Sequence, residues 1–450
     1  MLKLDPYQET GVAWLAGNKR PVLYLADQMR VGKTPQVAAA AGRIGAKRVL
    51  VICPAIVRPN WLADFVRFGA GVSEANTVLI YSAKDVERVT PETRLIVCSY
   101  DLAGAPDVFS KLYSFGAVYG FDLLALDEGH FLKDNRAKRT RAILGPKCNG
   151  DEGLAGCARR TWWVSGTPMP NDPSELFPFM RQAGLWPKSK TDLISRYCFG
   201  FHDGYTFKIT GAKNLPELKR LLAPVTLRRL RGDVSEAGLR IGALTIEPRE
   251  VDPLSPVLKR LANEEPKHFE LIQRHLETDT LDRLPIESAS TVRRLVGIAK
   301  VAGTAEIVKA SLDADPGKKI VVFGIHRAPL RYLRGALDEY KPVLIFGGIA
   351  AKRRENLIMS FRQNRNRRVA LANIRAAGLG IDLSAADEMY IFEPSWTPVD
   401  NEQALSRIID VRRPCVKEAW FIGLASSIDD AVTRVCERKA RDIKSLFSAV

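Results

Sequence analysis

The sequence predicts an α/β chain of two lobes, each a parallel sheet flanked by helices, with a helical linker between them. Short runs rich in Val, Ile and Leu recur through the first half, at VLYLA (22–26), RVLVICP (48–54), TRLIVCSY (93–100), FDLLALDE (121–128) and TWWVSG (161–166). Each is followed by a longer stretch rich in Ala, Leu and Arg, and such alternation marks βαβ units whose sheet is covered on both faces. The rhythm returns at KIVVFGIH (319–326), PVLIFGG (342–348), RVALANI (368–374) and EMYIFEP (388–394). It is missing from residues 231–294, where Glu, Arg, Lys and Leu are punctuated by Pro248, Pro253, Pro256, Pro266 and Pro285. The expected domains are therefore a first α/β lobe at 1–230, a helical linker or protrusion at 231–294 and a second α/β lobe at 295–450.

Composition fits that size. The 450 residues are 46% hydrophobic, enough for large cores. No segment approaches the ~18 uninterrupted apolar residues of a membrane span; the best run, Val49 to Val57, is broken by Pro54. The N-terminus MLKLDPYQE carries an acid and a proline where a signal peptide needs an apolar stretch, so a soluble protein with no membrane partner is expected. Seven cysteines, at 53, 98, 148, 157, 198, 415 and 436, show no C-x-x-C spacing and are expected to be reduced thiols rather than zinc ligands. The formal charge of +16 implies attraction to a polyanion.

The first strand runs into ADQMRVGKT and then into the helical pattern KTPQVAAAAGRIG. A strand, a tight loop and a helix N-terminus make an anion site, because backbone N–H groups and the positive dipole end face the ligand. Lys33 can reach the β- and γ-phosphates of a nucleotide, and the Thr34 hydroxyl can ligand Mg²⁺. Pro35 is tolerated because the first helical turn has no partner for its missing N–H. The strict pattern G-x-x-x-x-G-K-[ST] is broken at Asp27, which stands where the first glycine belongs. Further on, the apolar strand FDLLAL ends in Asp127-Glu128-Gly129-His130. An acidic pair at the carboxyl end of a strand lies where open α/β sheets bind ligands. Asp127 is the candidate holder of the magnesium, and Glu128 the candidate group that orients and deprotonates the attacking water.

These motifs resemble, in order, those of superfamily-two helicases of the Swi/Snf (switch/sucrose non-fermenting) type. DEGH resembles the DEAH box, LDPYQETGVAWL (4–15) the Q motif, DQMRVGKT the family's DEMGLGKT and CPAIVRPNW (53–61) its CP…NW element. CSY (98–100), VSGTPMPN (164–171) and WTPVDNEQALSR (396–407) complete the set. RYC (196–198) followed by GAKNLPELKRLLAPVTLRRLRGDV (211–234) resembles the annealing-helicase (HARP-like) branch, without its accessory recognition and zinc modules.

The resemblance implies two RecA-like lobes of the P-loop NTPase class, with ATP and Mg²⁺ as cofactors and DNA as the partner (duplex, fork or four-way junction). It implies a DNA translocase that remodels or rewinds forks and junctions, acting as a monomer on DNA. Tyr7 and Gln8 would contact adenine; Asp27, Met29, Arg30, Gly32, Lys33 and Thr34 would form the nucleotide loop, and Gly380 would permit close backbone approach. His130, Ser165 and Thr167 would couple the nucleotide site to the DNA groove. Arg58, Ser99, Tyr100 and Lys133 are the DNA-contact candidates of the first lobe, and Gly347, Arg354 and Trp396 those of the second, with the Arg362, Arg365, Arg367 and Arg368 cluster offering phosphate contacts. Gln403 and Arg407 fall on the first functional positions of the last motif.

Three departures from the family pattern matter. The arginine-finger position is Asp410, an acid of the wrong sign beside a γ-phosphate, so Arg412 or Arg413 would have to shift in or hydrolysis would be crippled. Arg30 replaces a loop glycine, where it could contact phosphate or point to solvent, and Gln28 replaces the usual glutamate. Two alternatives to the translocase therefore stand: a DNA clamp that binds ATP with little or no hydrolysis, and an RNA-directed helicase. The expected setting is cytoplasmic, in a bacterium or a phage-infected cell.

Overall fold

The computed structural model describes residues 3–69, 71–205, 207–234, 238–246, 286–374, 381–410 and 415–424, with Asp429, Val432 and Leu446. The chain divides into two compact units, one of residues 1–234 with 441–450 and one of residues 235–440.

In the first unit, five strands carry the apolar runs read from the sequence, β1 (Val22–Leu25), β2 (Val49–Cys53), β4 (Leu95–Ser99), β5 (Leu123–Asp127) and β6 (Thr161–Val164), and a short β3 (Thr77–Leu79) lies outside those runs. After them come a two-stranded antiparallel ribbon, β7 (Cys198–His202) and β8 (Phe207–Ala212), and a short β9 (Thr226–Leu227). The sheet is ordered β3-β4-β2-β5-β6-β1-β9, with every described pairing parallel. All-parallel pairing needs helical crossovers, which bury both faces; hence every residue of β1, β2 and β4 is buried. Each fully buried Val, Leu or Ile contributes about 1.5–3 kcal/mol relative to exposure.

This order fixes where chemistry can occur. Strands β5, β6, β1 and β9 lie side by side, and being parallel they end on the same edge. The acidic pair follows β5, the SGTP loop follows β6, the GKT loop follows β1 and an Arg-Arg pair follows β9.

The second unit holds β10 (Gly238–Ile246), β11 (Ile320–Gly324), β12 (Val343–Ile345), β13 (Val369–Asn373), β14 (Glu388–Ile391) and β15 (Val416–Leu424). They form one parallel sheet ordered β10-β15-β14-β11-β13-β12. Alternate residues feed opposite cores: Ile320, Val322, Val369, Leu371 and Tyr390 pack on one face, and Val321, Phe323, Ala370, Ala372 and Ile391 on the other.

Two expectations need correction. Residues 231–294 were expected to be helical, yet Gly238–Ile246 is a strand paired along its whole length with β15. Its glycines and arginine hide the strand signal, because it pairs at the sheet edge, where Arg240 and Ile241 stay exposed. Residues 247–285 of that linker lie outside the described residues. Residues 295–450 were assigned to the second lobe, but Leu446 is buried in the first unit's core.

Candidate active site

The site grows from β1. The chain leaves the strand through Ala26, whose N–H donates to Leu227 (2.7 Å), and Gln28, whose N–H donates to the Arg229 carbonyl (2.9 Å). It then turns through two left-handed residues, Arg30 (φ 70°) and Gly32 (φ 76°), before the helix Lys33–Arg43 begins. A side chain at Gly32 would be strained and would collide with Gln8, since a Cβ there would lie 2.2 Å from Gln8 Nε2. Arg30 occupies the same left-handed region without glycine's freedom, which explains why the family pattern has glycine there.

Lys33 Nζ donates to the carbonyls of Asp27 (3.0 Å) and Gln28 (3.3 Å), so the lysine closes its own loop. Burial pushes its ammonium below the usual lysine range, against Glu128, Asp27 and Asp127, which hold it up. Gln8, on the helix Pro6–Gly17, donates to the Val31 carbonyl (3.5 Å) and accepts from the Asp5 N–H (2.9 Å). Tyr7, Gln8, Met29 and Thr34 thus belong to the same loop neighbourhood or its helix entry.

Asp27 sits differently from the sequence expectation. It is fully buried, and its carboxylate accepts from the Arg229 N–H (2.9 Å), from Arg229 Nε (3.0 Å) and Nη2, and from Gln36 Nε2 (3.3 Å). The side chain braces the loop from beneath, with the charge matched by arginine rather than turned to a ligand. Arg229 also donates to the Tyr7 carbonyl and to Gln36 Oε1 (2.6 Å), and Arg228 Nη1 to the carbonyls of Ala26 (2.7 Å) and Gly166 (3.0 Å). These two arginines tie the Q motif, the GKT loop and the SGTP loop together. Both arginines lie within the 211–234 stretch that carries the annealing-branch resemblance, and the signal for them is a pair of cations directly after a short strand.

The acids complete the edge. Asp127 Oδ2 accepts from Trp61 Nε1 (2.8 Å) and Oδ1 from the Glu128 N–H (3.0 Å). Glu128 is itself left-handed (φ 50°), which swings its side chain across toward β6. There Glu128 Oε2 accepts from Ser165 Oγ (3.0 Å), while His130 Nδ1 lies 2.9 Å from Ser165 Oγ and 3.3 Å from Glu128 Oε2. Thr167 N–H donates to Ser165 Oγ (3.1 Å), and Thr167 Oγ1 lies 3.5 Å from His130 Nδ1. Burial and the neighbouring Glu128 charge push the Asp127 carboxyl up. Burial also works upward on Glu128, but His130, Lys33 and the Ser165 hydrogen bond outweigh it and pull that carboxyl down. The loop approaches closely: a Cβ on Gly166 would lie 3.0 Å from the Met29 nitrogen and 3.4 Å from Lys33 Nζ. Lys33, Asp127, Glu128, His130, Ser165 and Thr167 are therefore one cluster.

The nucleic-acid candidates of the first lobe are mostly buried, with their polar groups turned to the protein itself. Arg58 is 8% exposed, donates to the carbonyls of Ala55 (2.8 Å) and Ile80, and lies over the Tyr81 ring. Tyr100 is buried and its hydroxyl donates to the Asp127 carbonyl (2.6 Å), beneath the acidic pair. Buried Ser99 caps the short helix Tyr100–Ala103 through the Leu102 N–H (3.4 Å). Lys133 is partly exposed but paired with Glu175 (2.7 Å). Motif spacing identified the strand ends; it did not tell that these side chains turn inward to support them.

In the second unit, the Gly347 carbonyl accepts from Arg327 Nη2 (2.7 Å), Arg354 is buried, and half-buried Trp396 stacks beside Arg293. Gln403 lies in the helix Pro398–Ser406, Arg407 follows it with its carbonyl accepting from the Leu383 N–H (3.2 Å), and Asp410 is half-buried. Gly380, Arg412 and Arg413 lie outside the described residues. Of the arginine cluster, Arg362 pairs with Asp382 (3.2 Å) and Arg368 donates to the carbonyls of Lys318, Leu312 and Asp315. Arg367 instead lines a groove of about 770 Å³ with Arg331, Arg334 and Arg353.

Comparison with known proteins adds a family. Residues 7–240 match the SNF2-related domain and residues 303–411 the helicase conserved C-terminal domain. The chain is 27% identical to the human DNA annealing helicase and endonuclease ZRANB3, over 98% of this chain and 40% of that protein. It is 26% identical to a Caenorhabditis elegans SWI/SNF-related matrix-associated actin-dependent regulator of chromatin subfamily A-like protein 1 homolog, over 97% of this chain and 61% of that one. It thus spans less than two thirds of either relative. The Sulfolobus solfataricus SWI2/SNF2 ATPase core in complex with dsDNA aligns over 100% of this chain and 98% of its own, at 18% identity and a TM-score of 0.44. The human and worm relatives, with others from mouse, frog and fly, come from animals, which overturns the expectation of a bacterial or phage-infected cytoplasm. That expectation rested on chain size, and the length of a motor core carries no mark of the cell it works in.

Proposed function

The chain belongs to the SNF2-related family of helicase-type ATPases, and from that premise we propose that it is an ATP-driven motor on duplex or branched DNA that rewinds or remodels forks and junctions. The observation that carries the reading is the convergence of Lys33, Asp127, Glu128 and Ser165 on one sheet edge, from three adjacent parallel strands.

The residues fit a nucleotide with its divalent ion. A left-handed glycine opens an 11-residue helix, a partly buried lysine donates to two loop carbonyls, and a carboxylate stands beside it. Lys33 would exchange those carbonyls for phosphate oxygens, one set of acceptors for another. Thr34 and Asp127 would hold Mg²⁺, which when bound neutralises phosphate charge. Glu128, fixed by Ser165 and His130, would orient the attacking water; a carboxylate held this firmly acts more by position than by basicity.

DNA as the track is supported by the +16 charge, by the arginine groove of the second unit and by the names of the relatives, which include an annealing helicase. A motor that steps along any sequence grips phosphate, so binding should be salt-steep and indifferent to sequence. Rewinding of labelled model forks in the presence of ATP tests the proposal. Regression or annealing that requires ATP supports it, and ATP turnover on DNA without any strand rearrangement would restrict the chain to simple translocation.

A further inference from the structure

The β7–β8 ribbon takes no part in the site described above. It falls between the two stretches, RYC and GAKNLPELK, that carry the annealing-branch resemblance. Its base is firmly tied. Cys198 and Tyr197 are buried, Lys213 N–H donates to the Tyr197 carbonyl (2.8 Å), and the Tyr197 hydroxyl donates to Glu217 Oε1 (2.9 Å). Arg196 pairs with the same Glu217, and Asn214 Nδ2 donates to the Arg196 carbonyl (2.7 Å).

Beyond that base the ribbon exposes aromatic rings. Phe199 is 55% exposed, Phe207 43% and Tyr205, in the turn, 94%. Phe201, itself half-buried, stands directly opposite Lys208, so the two share a face of the ribbon. The bulge between Phe199 and Gly200 sits in β8, so β7 keeps its alternation and Phe199 shares that face with Phe201. Lys213, just after β8, lies beside the first of these rings, with Nζ 5.5 Å from the Phe199 ring centroid. One face therefore carries two aromatic rings and two lysines. The acid near it is Asp203, in the turn, 3.6 Å from Lys208 in an exposed pair. Phe207, opposite His202, lies on the other face and Tyr205 in the turn, so on this face it is Phe199 that stands most open to water, and an exposed ring beside cations marks a binding surface.

We propose that this face is a stacking platform for an unpaired base where duplex meets single strand, with Lys208 and Lys213 taking the flanking phosphates. The inference rests on the DNA-motor reading and adds a site to it. Rings interleaved with cations suit a nucleotide better than an apolar peptide, because every base offers a π-face and every nucleotide an anion. An anchored ribbon also keeps its rings fixed while the lobe moves on the duplex.

The test uses the full chain, a fork with single-stranded arms carrying a fluorescent adenine analogue at the first unpaired position, and a blunt duplex of equal length. The wild type should quench the analogue and bind the fork more tightly than the duplex. Stacking on an aromatic ring is worth a factor on the order of 5 to 150 per base. Phe199→Ala with Phe201→Ala should lose about that factor on the fork and leave blunt-duplex binding unchanged. Phe199→Trp should keep the fork preference, and Tyr205→Ala, at an exposed turn, separates stacking from folding by retaining the thermal transition. Unchanged fork affinity and quenching in the double variant would overturn the proposal, as would an equal loss on blunt duplex. A change confined to sedimentation, with DNA binding intact, would give the face to a second copy and also overturn it. Should the wild type bind neither fork nor duplex, the motor reading itself fails; should it hydrolyse ATP on duplex while the variants match it on forks, only the platform fails.

Discussion

Ser165 Oγ lies 3.0 Å from Glu128 Oε2, so a residue of the loop after β6 holds the carboxylate that follows β5. The same oxygen is 2.9 Å from His130 Nδ1 and accepts from the Thr167 N–H at 3.1 Å. Any movement of the SGTP loop must therefore change how Glu128 is aimed. Ser165→Ala should lower DNA-stimulated ATP turnover on the order of tenfold, the worth of a hydrogen bond to a charged group, with nucleotide binding unchanged. Steady-state turnover and nucleotide titration of the variant check this, and wild-type turnover would show that the contact is not used.

Lys33 and Glu128 should separate binding from turnover. Lys33→Ala removes the cation from the phosphate loop, so ATP affinity and hydrolysis should both fall. Glu128→Gln keeps the loop and its charge partners, so ATP should bind and remain intact. Near wild-type turnover in Glu128→Gln would remove its assignment as the water-orienting group.

Arg229 should matter for stability before catalysis. Its removal leaves the fully buried Asp27 carboxylate unmatched, and breaking a buried pair from one side costs about 3–5 kcal/mol. Arg229→Ala should shift urea unfolding of the first unit by that order, whereas Lys133→Ala, which breaks a more exposed pair, should shift it by less than about 1 kcal/mol. Equal shifts would mean that the brace is not the support described.

The second unit should lose stability in acid through Glu388. Burial works to raise its carboxyl, but Ser311, Tyr390 and Lys318 outweigh it and hold it below the ordinary value of 4.5. A group with a depressed folded-state pKa stabilises above its unfolded value, and that stability is lost as pH falls through the folded one. Glu388→Gln should therefore flatten the pH dependence of unfolding below about pH 4.5. An unaltered acid limb would assign the loss to other carboxylates.

Much of this was legible in the residues. Apolar runs such as VLVIC and LIVC gave buried parallel strands, and strand-end position alone brought GKT, Asp-Glu and Ser-Gly-Thr to one edge. What the sequence hid was side-chain direction. Arg58 and Tyr100 carry polar groups that suit a ligand, yet they are spent on buried carbonyls, because a strand end at the core needs donors as much as a ligand does. Arg229 was hidden for a different reason: its partner Asp27 lies 202 positions away, beyond any local pattern. β10 escaped because an edge strand can keep arginine and glycine that a central one would exclude.

The central claim is that the cluster of Lys33, Asp127, Glu128 and Ser165 hydrolyses ATP in response to DNA. Steady-state ATP turnover of the full chain, with and without blunt duplex, fork, four-way junction and duplex RNA, tests it most directly. Low turnover alone, with strong stimulation by DNA and little by RNA, is the expected result. ATP binding with no turnover on any DNA would contradict it, leaving Asp410 as the mark of a clamp, and stimulation by RNA in preference to DNA would contradict the choice of track.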